Sequence, residues 1–127
     1  VVRVGTMRAT RLVVVTMPEP TALTDAYALM KIVNLQLPDL PMDLLVNRCL
    51  TDEEGRAAYE KIATACERFL HRGVRHLASI GEDDAVRAAV RDPRRLLALL
   101  GASAASLTLR EAVRARLALA APMPAAV

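Results

Sequence analysis

An unbroken run of aliphatic residues, Leu12-Val13-Val14-Val15, leads into two prolines and then a helical period. No other stretch constrains this chain as tightly. Consecutive apolar residues without polar alternation describe a strand buried on both faces, as in a parallel sheet covered by helices. Pro18 and Pro20 stop a helix from running backwards and set an extended turn. Thr21 is placed as an N-cap, with Asp25 positioned to complement the helix dipole. Leu23, Ala26, Tyr27, Met30 and Val33 recur at the i, i+3, i+4, i+7 spacing of a buried face, and the helix must stop before Pro38. The stretch reads as the first half of a βαβ unit.

The rest of the chain repeats the scheme. Asp43–Asn47 is a second short buried strand. Thr51, three residues before Glu54, fits a capping box in which the carboxylate reaches back to the N–H of the cap. The helix it opens carries Ala58, Ile62, Ala65, Cys66 and Phe69 on one side, and Gly73 is placed to stop it. Val74–Ile80 is a third strand. Asp83 is suited to cap a helix that turns Val86, Ala89 and Val90 inward, and Asp92-Pro93 breaks it. Arg94–Leu100 is open between strand and buried coil, and either Ser103 or Ser106 can cap a last helix running to about Ala120. The order β-α-β-α-β-α-(β)-α calls for right-handed crossovers and a parallel sheet. Residues 1–120 are expected to form part of one α/β domain, a partial three-layer sheet with helices on both faces. Residues 121–127 are expected to be a frayed tail.

Composition narrows the class. At 127 residues there is one domain's worth of chain or less, and 54% hydrophobic with 24% charged residues disfavours disorder. Aromatics make up only 2%, so the core must be built from Leu, Val, Ala and Met. The net charge of +3 is carried mainly by Arg and is too small to argue for a nucleic-acid partner. Cys49 and Cys66 lack a CxxC or a paired His motif and read as reduced structural thiols, consistent with a cytoplasmic protein. No run approaches the ~18 apolar residues that span a bilayer.

Known chemistries are conspicuous by their missing parts. A phosphate-binding loop needs clustered glycines followed by Lys and Ser/Thr. Here the five glycines stand alone and none precedes a lysine. His71, His76 and Cys66 do not have zinc-ligand spacing, so no metal site is expected. No catalytic residue can be named from the pattern.

The stretch Thr16–Lys31, TMPEPTALTDAYALMK, is where a family resemblance enters. It resembles the segment after the Walker B strand of MinD/ParA-type ATPases, above all the flagellar-number regulators, which read T-x-PEPT-x-(T)DAYALIK there. Leu45-Val46-Asn47-Arg48 is similar to the group's "VNR" strand end. Glu54-Gly55, Arg68-Phe69-Leu70 and Leu77–Asp83 are similar to its "EG", "RFL" and "LGxIPxD" signatures, with Ala78 and Gly81 departing from the usual Gly and Pro. The likeness runs from about Arg11 to about Ala120, in the right order.

This resemblance implies the carboxy-terminal half of a MinD-like P-loop NTPase fold. It implies a nucleotide switch concerned with flagellar number or cell positioning. It implies ATP and Mg²⁺ as cofactors of the whole ATPase, which this chain is not expected to bind tightly alone. By the same likeness Asn47, with Arg48, lies where the adenine edge is read, an amide offering donor and acceptor together. Asp83 belongs to a loop lining the base pocket, and Glu19 can reach nucleotide ribose, across a dimer in related members. Each also has a plain structural reading: strand terminus, helix cap and solvated turn. The implied partners are a second copy or the amino-terminal half of the ATPase, together with a flagellar regulatory protein. MinD-type proteins carry a membrane-targeting helix at the C-terminus, but Leu109, Val113 and Leu117 form a weak apolar face beside Arg110, Arg114 and Arg116, which favours core packing over peripheral attachment to the inner membrane. The other functional reading is a non-catalytic α/β interaction module.

Overall fold

A computed structural model describes residues 9–99 and 101–117. The expected tail 121–127 and most of the segment before Leu12 lie outside them. The described residues fall into two compact units divided after Gly81.

The first unit is a parallel β-α-β-α-β array. Strand β1 (Leu12–Thr16) leads to helix α1 (Pro20–Gln36), β2 (Met42–Cys49), α2 (Asp52–Ala65) with a wider π-type turn over Cys66–Leu70, and β3 (Arg75–Gly81). The sheet order is β1-β2-β3, with Val14 opposite Leu44 and Thr16 opposite Val46. Leu12, Val14, Met42, Leu44 and Val46 share one side of the pleat, and the core forms where α1 and α2 cover it. Leu23, Ala26 and Met30 come from α1, and Ala58, Ile62 and Cys66 from α2 and its extension. Val33 is buried as the period requires, and Tyr27 packs at the rim.

Several expectations are corrected in detail. Helix α1 begins one residue before Thr21, so Glu19 is the N-cap; its backbone is extended and its side chain makes no capping bond. Pro20 is tolerated at the first helical position because that N–H has no helical partner. Strand β2 is longer than Asp43–Asn47. The capping box at α2 forms, with Glu54 N–H donating to Thr51 Oγ1 at 3.1 Å, but the Glu54 carboxylate accepts from Leu50 N–H at 2.6 Å rather than from the cap itself. Phe69 is 64% exposed instead of buried, because the π turn breaks the 3.6-residue period after Cys66. The helix is stopped by His71 in the left-handed region (φ 54°), not by Gly73.

Gly55 is required where α2 crosses the sheet. A Cβ there would stand 2.2 Å from Ser79 Oγ and 2.6 Å from its Cβ. Ser79 Oγ also lies 3.0 Å from His76 Nε2, whose ring stacks on Tyr59 at 4.6 Å between centroids. Tyr59 in turn donates to Val74 C=O at 2.7 Å, so the first half of α2 is keyed to β3 and the residue before it.

The second unit is helical: α3 (Asp84–Arg91), α4 (Pro93–Leu99) and α5 (Ala104–Ala112), the last running into a π-type turn over Val113–Leu117. The segment left open at Arg94–Leu100 is therefore mostly helix. Ala89 is buried and Val86 half-buried, but Val90 is 76% exposed. Ser103 is the cap of α5, accepting from Ser106 N–H at 3.1 Å. Leu109 and Val113 are both exposed rather than packed in a core.

Candidate functional site at the carboxyl ends of β1 and β2

In a parallel α/β sheet the crevice outside the carboxyl ends of the strands is where ligands bind, because loops diverge there and helix N-termini converge. β1 ends at the buried Thr16, whose hydroxyl donates to Ala22 C=O at 3.0 Å and pins the turn against the first turn of α1. Met17, Pro18 and Glu19 follow. Near the end of β2 lie Asn47, half-buried, and Arg48, exposed.

Arg48 sits at φ 58°, a region that a non-glycine residue adopts at a cost of about 1 kcal/mol or more. Asn47 supports this conformation by accepting the Arg48 N–H on Oδ1 at 2.9 Å. The guanidinium reaches the turn that follows β1, where Nη1 lies 3.7 Å from Met17 Sδ. An open groove of about 430 Å³ continues along the edge of β1, lined by Val15, Met17, Asp25, Leu29 and Asn47 among others.

The structure thus brings three of the four sequence-derived positions, Glu19, Asn47 and Arg48, to the strand ends of the first unit. Asp83 belongs to the second unit and is engaged there. Oδ1 accepts from Ala85 N–H at 2.9 Å and Val86 N–H at 3.4 Å, and Oδ2 accepts from Ala105 N–H at 3.0 Å. Those bonds, that from Ala105 foremost, hold its carboxyl below the usual carboxylate range. Cys49, next to Arg48, is buried and donates to Val46 C=O at 3.5 Å. Burial, then the nearby Glu54 charge, push its thiol up, so it is not poised as a nucleophile. Among the described residues no group of His, Cys, Asp and Glu could hold a metal ion.

One polar cluster escaped the sequence reading. Asp43, fully buried at the start of β2, takes Arg75 in a two-pronged pair (Nε–Oδ1 3.0 Å, Nη2–Oδ2 2.9 Å) and Arg11 Nη1 on Oδ1 at 2.9 Å. The signal was available: an acid inside an apolar run must find a cation. Because Arg11 and Arg75 border the opposite strand ends, the cluster is a sheet fastener and not part of the candidate site.

No family model matches the chain. The antiactivator FleN of Pseudomonas aeruginosa is 32% identical over 102 residues, which is 80% of this chain and 36% of FleN. Over the matched residues the chain is similar to FleN, a MinD-like flagellar-number regulator. The match spans about a third of its relative's length. Within that likeness to the MinD-like group, the PEPT turn is Pro18–Thr21, which runs into the start of α1, and the "VNR" motif is Val46–Arg48, near the end of β2, with Arg48 at positive φ. No described helix is long and apolar enough to cross a membrane.

Proposed function

We propose that this chain contributes the adenine-side and dimer-side surface of a MinD/ParA-like nucleotide-switch ATPase that regulates flagellar number or placement. The carrying observation is the pairing at the strand ends: Asn47, in a turn rigid enough to hold Arg48 at positive φ, beside the Pro18–Pro20 turn that presents Glu19. Asn47 Oδ1 is committed once, to the Arg48 N–H, but a carbonyl oxygen carries two lone pairs and can accept again. Its amide N–H₂ can donate to a ring nitrogen, and the Arg48 guanidinium, a flat cation, can lie along a base or reach a phosphate. Glu19 can accept from ribose hydroxyls.

Residues able to grip a triphosphate or Mg²⁺ are not among these, so ATP is held with the phosphate-binding half of the ATPase, which is also the first partner of this surface. Asp83 caps α3 within the second unit and is left out of this surface.

Isothermal titration distinguishes the parts of this reading. Mg-ATP should give no measurable heat with this chain alone. In the assembled ATPase, Asn47→Ala should weaken ATP about tenfold, the worth of a paired polar contact, while leaving affinity for inorganic triphosphate unchanged. Equal weakening for both ligands, or micromolar Mg-ATP binding by the chain alone, would contradict it.

A further inference from the structure

Thr16 is a hydroxyl at the end of an aliphatic run, 5% exposed and opposite Val46 in the neighbouring strand. Burying a hydroxyl in such surroundings is tolerated only with a partner. It finds one across the turn: Oγ1 donates to Ala22 C=O at 3.0 Å, with Met17 C=O a second, longer acceptor at 3.3 Å. In a helix the Ala22 carbonyl already serves the amide four residues on, and its second lone pair takes the hydroxyl. The bond therefore joins the last residue of β1 to the first turn of α1.

Glu19 lies between those two anchors. Pro20 after it restricts its backbone to the extended region, where it is found at φ -89° and ψ 140°. Its carbonyl accepts the Leu23 N–H at 3.0 Å, which fastens it to the same first turn. Its side chain is exposed and makes no capping bond, so the carboxylate is not drawn back onto the helix. With the backbone of Glu19 preset, where its carboxylate stands depends on how α1 is set against the end of β1. That setting is what the Thr16 hydroxyl fixes.

We infer that Thr16 is a positioning residue for ribose recognition. By tying the first turn of α1 to β1 it holds the Glu19 carboxylate where ribose hydroxyls meet it, and so makes this surface prefer ribonucleotides to their dideoxy counterparts. This role rests on the nucleotide reading of Glu19 proposed above, and Thr16 itself touches no ligand.

Thr16→Val removes the hydroxyl and keeps the shape, in a run where valine is already at home. On this chain alone, hydrogen exchange at the Leu23 amide should quicken about fivefold or more in Thr16→Val and stay unchanged in Thr16→Ser, while the amides between β1 and β2 keep their protection. In the assembled ATPase, isothermal titration should show ATP binding about tenfold more tightly than 2′,3′-dideoxy-ATP, the worth of a hydrogen bond to a carboxylate. Glu19→Ala should abolish that preference. Thr16→Val should lose most of it, Thr16→Ser should keep it, and none of the three should alter affinity for inorganic triphosphate. Comparing two ligands on one variant cancels any general loss of stability. A preference absent from the unmodified assembly, or kept in Glu19→Ala, would sink the ribose reading of Glu19 and this role with it. A preference lost in Glu19→Ala but kept in Thr16→Val, or lost in Thr16→Ser as well, would overturn the role of Thr16 alone. So would an unchanged Leu23 exchange rate in Thr16→Val.

Discussion

Asp43 shows what a single residue can decide in this fold. Its carboxylate has no exposure and is tolerated only because Arg75 meets it with two parallel bonds and Arg11 with a third. The two arginines are about a third exposed, so their own desolvation is modest and most of the cost of breaking the cluster falls on the acid. Asp43→Ala should therefore cost about 3 kcal/mol in urea unfolding, near the low end for a broken buried pair. Arg11→Ala should cost less than Arg75→Ala, because the two-pronged bond remains in the former. Gly55 is a second such position. A methyl group there meets the Cβ of Ser79, which cannot swing away, so Gly55→Ala should destabilise by about 1–3 kcal/mol despite its better helix propensity. Pairing it with Ser79→Gly should recover most of the loss; an additive double variant would show that the clash is not the cause. Neither partner could be read in advance, for the same reason. A strand residue's partner across the sheet depends on register, which local sequence does not specify, whereas the helix faces of Leu23–Val33 and Ala58–Cys66 repeat within the chain itself and were visible.

At the scale of elements, legibility follows how local the determining interaction is. The helices opened by Thr51 and Asp83 could be placed because a cap and the amides it serves lie within three residues of each other. The segment after Pro93 could not be assigned, because its apolar residues fit a buried strand as well as a short helix, and length is a poor arbiter there. The displaced stop at His71 and the outward turn of Phe69 share one origin, a π turn that no propensity announces. Asp83 adds something beyond a local cap: by also accepting from Ala105, the residue after the start of α5, it ties α3 to α5 within the second unit. Its carboxyl is held below its usual range, so the carboxylate stabilises the fold fully above the titration of the unfolded chain. That contribution is lost as pH falls through the lowered folded value. Acid melting followed by circular dichroism should show the helices of the second unit loosening across that window, and Asp83→Asn should flatten the dependence. A variant that keeps the full acid response would place its origin elsewhere.

At the scale of the whole molecule, the sheet among the described residues ends at β1 on one side and at β3 on the other. The parallel class follows from the alternation of apolar runs with amphipathic helices, and three candidate positions fall on neighbouring loops because the carboxyl ends of adjacent parallel strands lie side by side. What the alternation leaves open is which strand is left at the margin. Among the described residues β1 pairs with β2 alone, and Leu12 N–H donating to Pro41 C=O sets the odd-numbered residues Val13 and Val15 with their backbone groups toward the free side. Val15 is 61% exposed and Leu29 in the adjoining groove 40% exposed, with no charge or proline inside LVVVT to discourage another strand from adding on. In the assembled ATPase proposed above, this margin would be occupied. In the chain by itself it should promote irreversible association. Val15→Lys places a charge on that margin without entering the core around Val14. It should raise solubility and the reversibility of thermal unfolding while shifting Tm by no more than a few degrees, as an exposed substitution does. Light scattering during a heating ramp reads the difference directly: unchanged aggregation in Val15→Lys would mean that the β1 edge is not the surface through which the molecule comes out of solution.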